Sequence, residues 1–262
     1  MKLISNDKIT FLGLVHDNLS IVLFLLIWEI LGRSGIVHIS LFPPPSYVLK
    51  AFFEMIASGD LIKDIAVSLW RAIVGWGFGS LAGICIGLLS GRSDKVNRFI
   101  SPIIQLFRPL PPVAIIPLVI IWFGIGEFSK LFSIGFAVFF PVWMNAHIGA
   151  QRIPASFLWS AKSLKVSDAA VFWKVIFPGS LNFIVAGLRN GIAVAFVMVF
   201  VSELAGASSG VGYEISVSHL AYRVDRMMAA LATLALLGAA SDYLLTKLLD
   251  RQFPWLKYLD QK

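Results

Sequence analysis

The sequence predicts an all-α, polytopic membrane protein with about six helical spans in one domain. Three observations point to it. Hydrophobic residues make up 58% of the chain and charged residues only 14%, with a mean hydropathy of +0.82. Apolar runs of about 20 residues, the length that crosses a bilayer, recur along the chain. The stretches between them are mostly short. A soluble chain of 262 residues could not cover so much apolar surface, so the solvent is lipid. Backbone polar groups in lipid must be satisfied within their own segment, which makes the spans helical.

The spans are expected at about 20–38, 65–90, 98–124, 128–149, 181–204 and 228–248, giving an N-terminal segment 1–19, a transmembrane domain 20–250 and a tail 251–262. The N-terminus lacks a cleavable signal, so the first apolar run is expected to stay as an anchor. Pro43-Pro44-Pro45 is expected to stop the first span, and Ser46 to cap a short amphipathic helix lying along the membrane surface. In the second span Gly75, Gly79, Gly83, Gly87 and Gly91 recur every fourth residue, a smooth groove for close approach of another helix. The third span contains RPLPPVAIIP, whose prolines predict a break covered by protein. Lys and Arg concentrate on one set of flanks (Lys2, Lys8, Arg92, Lys95, Arg98, Arg152, Lys162, Lys165, Lys174, Lys247, Arg251, Lys257 and Lys262, against Arg33, Lys50, Lys63, Lys130, Arg223 and Arg226 on the other), which places the N-terminus and the loop 153–178 in the cytoplasm.

That loop, IPASFLWSAKSLKVSDAAVFWKVIFP, is the long exception. It reads as two short amphipathic helices. The first carries Phe157, Leu158, Ala161 and Leu164; Lys165-Val166 forms the turn. Ser167 caps the second, Asp168 sits in its first turn, and Pro178 begins the next span. A hairpin of this kind in the water phase suits either an interfacial role or a grip for a partner.

Charged side chains inside spans are costly unless paired. By helical rise, Glu29 and Arg108 fall near mid-membrane, Arg71 and Glu203 near the outer face, and Arg189 and Asp242 in the inner third, which predicts three ion pairs tying spans together. Arg108, Pro112, Trp122, Phe123 and Asn145, on and after the proline break, are the candidates for lining a substrate path. Gly206, Gly210 and Gly212 form an outside loop. Other chemistry finds little support. The net charge of +7 follows the membrane flanks and does not signal nucleic acid. Cys85 is the single cysteine and the four histidines are scattered, so no metal site is expected. No GxxxxGK[ST] phosphate loop occurs, so any ATP is hydrolysed elsewhere. A secondary transporter would need two related halves with paired broken helices, and a membrane enzyme a converging catalytic set; one break and no such set are visible.

The hairpin resembles the cytoplasmic loop motif of ATP-binding-cassette (ABC) importer permeases: Glu-Ala-Ala, three residues, Gly, nine residues, Ile-x-Leu-Pro. Here the motif falls on Trp159-Ser160-Ala161, Lys165 and Val175-Ile176-Phe177-Pro178. LFPPPSYVLKAF, RPLPPVAIIPLVIIWFGIG and SELAGASSGVGYEI are similar to successive segments of the nitrate/sulfonate/taurine-type permeases. The resemblance implies a type I importer permease fold in a bacterial inner membrane and transport of a small oxyanion or organic sulfonate. It further implies no cofactor on this chain, with ATP and Mg on two ATPase subunits, a second permease chain (a homodimer) and an extracytoplasmic solute-binding protein. Leu158, Trp159, Ser160, Ala161, Ser163, Leu164, Lys165, Val166, Ser167, Phe177 and Pro178 would form the ATPase-coupling loop. Trp159 replaces the family's glutamate, and Lys165 its glycine; a lysine held at positive φ costs about 1 kcal/mol, unless the turn is remodelled.

Overall fold

A computed structural model describes residues 11–255. The chain runs α1 (Phe11–Arg33), α2 (Pro45–Ala57), α3 (Asp60–Arg92), α4 (Asp94–Phe107), a 3₁₀ turn (Pro112–Ile115), α5 (Ile116–Phe123), α6 (Glu127–Gln151), α7 (Ala155–Ser163), α8 (Asp168–Val171), a π turn (Phe172–Ile176), α9 (Phe177–Gly179), α10 (Leu181–Leu204), α11 (Val211–Leu220) and α12 (Val224–Gln252). Among the described residues, α3, α6, α10 and α12 are each long and apolar enough to cross a membrane. The expected third span is a broken one: α4 and the 3₁₀–α5 segment meet at 86°. Pro102 is tolerated inside α4, whereas Pro109, Pro111 and Pro112 fall together at the bend, where several backbone donors are lost at once.

The centre of the molecule is α3 packed along α6, with α10 against both. The glycine series makes this possible. A β-carbon on Gly75 would meet Ile134, on Gly79 the Gly135 carbonyl, on Gly83 the Trp143 backbone, on Gly87 Ala146 and on Gly91 the His147 carbonyl. Below these contacts Ile134, Ala137, Val138, Val142, Ala195, Phe196 and Val199 close the main core. On one flank α2, α11 and α12 pack through Ala51, Met55, Val211, Ile215, Ala229 and Ala230.

Several expected boundaries move. The first helix already runs at Phe11 and ends at Arg33, not at residue 38. Gly35 (φ 75°) turns the chain well before the three prolines, so these prolines start α2 and do not stop α1. Ser46 does not cap α2. The helix begins one residue earlier with Pro45 in its first turn, and the Ser46 N–H instead donates to Glu29 Oε2 of α1 at 3.0 Å. Pro178 does not open a span either. The chain is helical from Asp168 onward, and a π turn, with Phe177 N–H donating to the Phe172 carbonyl, absorbs the proline's missing donor. α3 spans 33 residues, about 50 Å at 1.5 Å per residue, longer than a hydrocarbon core of about 30 Å. The first ten residues and the last seven, including Lys2, Lys8 and most of the expected tail, lie outside the described residues.

Candidate functional site

The hairpin 153–178 stands at one end of the bundle and is keyed into it. Leu158 and Ala161 of α7 are buried. They join Leu88 of α3, Ala146 and Ala150 of α6, Ile184 of α10 and Ile176 of the π turn in a separate apolar cluster. Leu158, expected with Trp159 in the coupling loop, therefore points inward. Helical spacing explains it: Leu158 and Ala161 are three apart on one face, and Trp159 is turned about 100° away. Trp159 is 69% exposed, Phe157 59% and Leu164 77%. Ser160 and Ser163 are exposed on the same outer side.

Lys165 sits in the left-handed region, with φ 54°. The Lys165 N–H donates to the Lys162 carbonyl at 2.9 Å, and the Val166 N–H to the Ala161 carbonyl at 3.1 Å. This pair of bonds is the Schellman ending, which normally takes glycine at the Lys165 position. The turn is thus not remodelled; the β-carbon is accommodated at a cost of about 1 kcal/mol. Ser167 then caps α8, its Oγ accepting from the Ala170 N–H at 3.4 Å. Phe177 is half-buried against Trp173 and Pro178 is exposed.

At the opposite end a polar clasp surrounds Arg71, which is 2% exposed. Its guanidinium donates to Glu203 Oε1 (2.8 Å), to Glu127 Oε1 and Oε2 (2.6 and 2.8 Å) and to the Ser209 carbonyl (2.7 Å). Glu203 also accepts from Ser68 Oγ and from the Gly212 N–H, each at 2.8 Å to one oxygen. Asp64 accepts from the Gly210 N–H at 2.6 Å. Gly210 (φ 116°) lies so close to the Glu203 carboxylate that a side chain there would strike it. The loop is therefore folded onto a buried charge, with Gly210 buried; Gly212, expected in the same loop, is instead a buried residue of the first turn of α11. Glu127, Asp64 and Ser68 escaped sequence reasoning, which counted charges only inside the proposed spans.

The other charges divide. Arg189 and Asp242 are in contact at 3.2 Å, half-exposed, tying α10 to α12. Glu29 does not pair with Arg108. It binds Arg33 at 2.6 Å and both Ser46 groups, one turn from the end of α1, so it sits at the helix end and not at mid-span. Arg108 is exposed at the C-terminus of α4, just where the chain bends.

Between α3, α4 and α6 lies an open apolar cavity of about 660 Å³, lined by Phe78, Ile103, Ile104, Phe107 and four phenylalanines of α6 spaced every four residues, Phe128, Phe132, Phe136 and Phe140. The rings run as a ladder, and Phe123 joins it at 5.0 Å from Phe128 with Trp122 behind. Phe107 lines the cavity; Arg108, the next residue, ends α4 and is exposed. Pro112 opens the 3₁₀ turn beyond the bend. Asn145 is not part of this wall. Its amide donates to the Pro141 carbonyl of its own helix at 2.8 Å, and its β-carbon packs against Gly187 in the α6–α10 seam. The four-residue phenylalanine spacing was readable beside the four-residue glycine spacing and was missed. Among the described residues no group of His, Cys, Asp or Glu is placed to hold a metal.

The chain is similar to known proteins in sequence and in fold. Residues 79–253 match the family described as "Binding-protein-dependent transport system inner membrane component". The taurine transport system permease protein TauC of Escherichia coli is 33% identical, over 90% of this chain and 88% of its own. A permease of Bacillus subtilis named for aliphatic sulfonates transport is 33% identical, over 86% of this chain and 82% of its own. In fold, the chain is similar to an inward-facing methionine ABC transporter (TM-score 0.65, 19% identity, 76% of this chain and 97% of that one). The chain belongs to the binding-protein-dependent transport inner membrane component family: it is a permease subunit of an ABC importer for small solutes, and not itself an enzyme.

Proposed function

We propose that this chain carries a small anionic solute, an oxyanion or an organic sulfonate, across the bacterial cytoplasmic membrane, with its N-terminus inside. Two copies pair around one path. Two ATPase subunits, holding ATP and Mg, seat on the two hairpins, and a solute-binding protein delivers cargo from outside. The permease domain comprises residues 20–250, with 153–178 as its coupling loop.

One observation carries the reading: α7 is exposed on one side and locked by Leu158 and Ala161 into a cluster drawn from α3, α6 and α10. A push on α7 from the water phase would reach three membrane-crossing helices at once. A nucleotide state must favour one arrangement over the other by several kcal/mol to move the populations, and a rigid key of this kind transmits that difference. The names of the sulfonate and taurine relatives support the solute class. Arg108, exposed at the bend that ends α4, would meet the anionic group, while the apolar cavity lined by its neighbour Phe107 holds no competing charge. An apolar wall binds an anion weakly, which suits a path that must release its cargo.

Proteoliposomes decide between driving forces. Containing this chain with its ATPase subunit and binding protein, they are expected to accumulate taurine or an alkanesulfonate only with ATP present. Uptake by liposomes holding this chain alone, driven by an ion gradient, would contradict the proposal and favour a secondary transporter.

A further inference from the structure

The outward side of α7 is built from alternating small and large residues. At 3.6 residues per turn, Ser156, Ser160 and Ser163 lie opposite the buried pair Leu158 and Ala161. All three serines are exposed, and their size lets another backbone come close. Trp159 stands on one side of this serine stripe, with Phe157 and Leu164 on the other, each more than half exposed. Lys162 and Lys165 are exposed at the end of the helix. Asp168 is the sole carboxylate of the whole segment 153–178.

We propose that α7 and its turn form a docking ridge selecting an ATPase subunit whose receiving cleft is apolar and rimmed by carboxylates. This rests on the hairpin-docking reading above and adds the chemistry of the partner. Exposed aromatic anchors set among small polar residues are what a protein groove takes up, with most of the affinity in the anchors. The two lysines steer a negative rim and repel a basic one. A membrane surface is the weaker fit. A helix resting on lipid turns its continuous apolar stripe to the bilayer, whereas here that stripe, Leu158 with Ala161, faces the bundle.

The test uses the full chain in nanodiscs of phosphatidylcholine and phosphatidylglycerol, titrated with the ATPase subunit of the same transporter at several salt concentrations. Trp159→Glu is expected to weaken binding by at least about tenfold. Lys162→Glu combined with Lys165→Glu is expected to weaken it and to reduce its salt dependence, while Lys165→Gly, which keeps the turn, has the smaller effect. A photo-crosslinker at position 159 is expected to label the ATPase subunit. Since the altered side chains are exposed, unfolding temperatures should stay near that of the parent chain. Unchanged or tighter binding of both the Trp159→Glu and the double lysine variant would overturn the ridge chemistry, as would labelling of lipid by the crosslinker. Replacing residues 156–165 with a Gly-Ser linker separates the two levels: unchanged affinity there would overturn hairpin docking itself.

Discussion

Arg71 shows how one residue can hold several elements. Its guanidinium, 2% exposed, is shared by Glu203 of α10, Glu127 of α6 and the carbonyl of Ser209. Taking such a charge out of water is expensive, and only close, multiply bonded partners offset it. Removing one partner leaves the other charge buried and unpaired. Arg71→Leu is therefore expected to destabilise the detergent-solubilised protein by about 3–5 kcal/mol, read from thermal or denaturant unfolding, whereas Arg33→Leu, at an exposed pair, should cost at most about 1 kcal/mol. Equal losses in the two variants would show that the clasp does not bear on stability. Lys165 is the opposite case, a side chain kept at a position where glycine would be free of strain. Strain retained at an exposed tip fits a residue selected for what it meets and not for folding.

The helices pack by the rule that lipid imposes. Tails are as apolar as leucine, so helix association depends on shape, and small residues supply it. A β-carbon on Gly83 would lie 2.9 Å from the Trp143 nitrogen and from Val142, while one on Gly77 would touch nothing within 4 Å. Gly83→Ala is expected to lower stability by about 1–3 kcal/mol through forced separation of α3 and α6. Gly77→Ala should be neutral or stabilise by up to about 1 kcal/mol through helix propensity. Unfolding of the two variants checks the sign. This seam was legible in the sequence because its spacing is regular. The proline break was legible too, since prolines crowd one site, but the expected cover by protein is not seen in this chain, where Arg108, Pro109, Leu110 and Pro111 are exposed. The π turn was not, because it answers a local conflict at Pro178 that spacing does not record. Nor was the fate of Glu29. Counting residues gives depth along a helix, but the end of α1 at Arg33 and its contact with Ser46 depend on how α2 folds back. The apolar positions of α7 were legible as a set, but not that Leu158 and Ala161 turn to the bundle while Phe157 and Leu164 stay exposed, since only packing separates them.

At the scale of the whole molecule, two ends of one bundle are built for different tasks. At one end α3, α6, α10 and the glycine loop are fastened by buried charges. At the other, α7 is keyed to three of the membrane-crossing helices and presents its free side outward. The phenylalanine-lined cavity lies between α3, α4 and α6. In the proposed mechanism such a body would rock as a unit when its keyed end is displaced, and the fastened end would limit how far the helices spread. The most direct measurement is a cysteine cross-link in the assembled transporter. With Cys85 replaced by Ser, Ser160→Cys is expected to cross-link to the ATPase subunit, and Ser208→Cys, at the clasp end, is not. A cross-link from Ser208→Cys and none from Ser160→Cys would put the engine on the wrong end of the molecule and contradict the account.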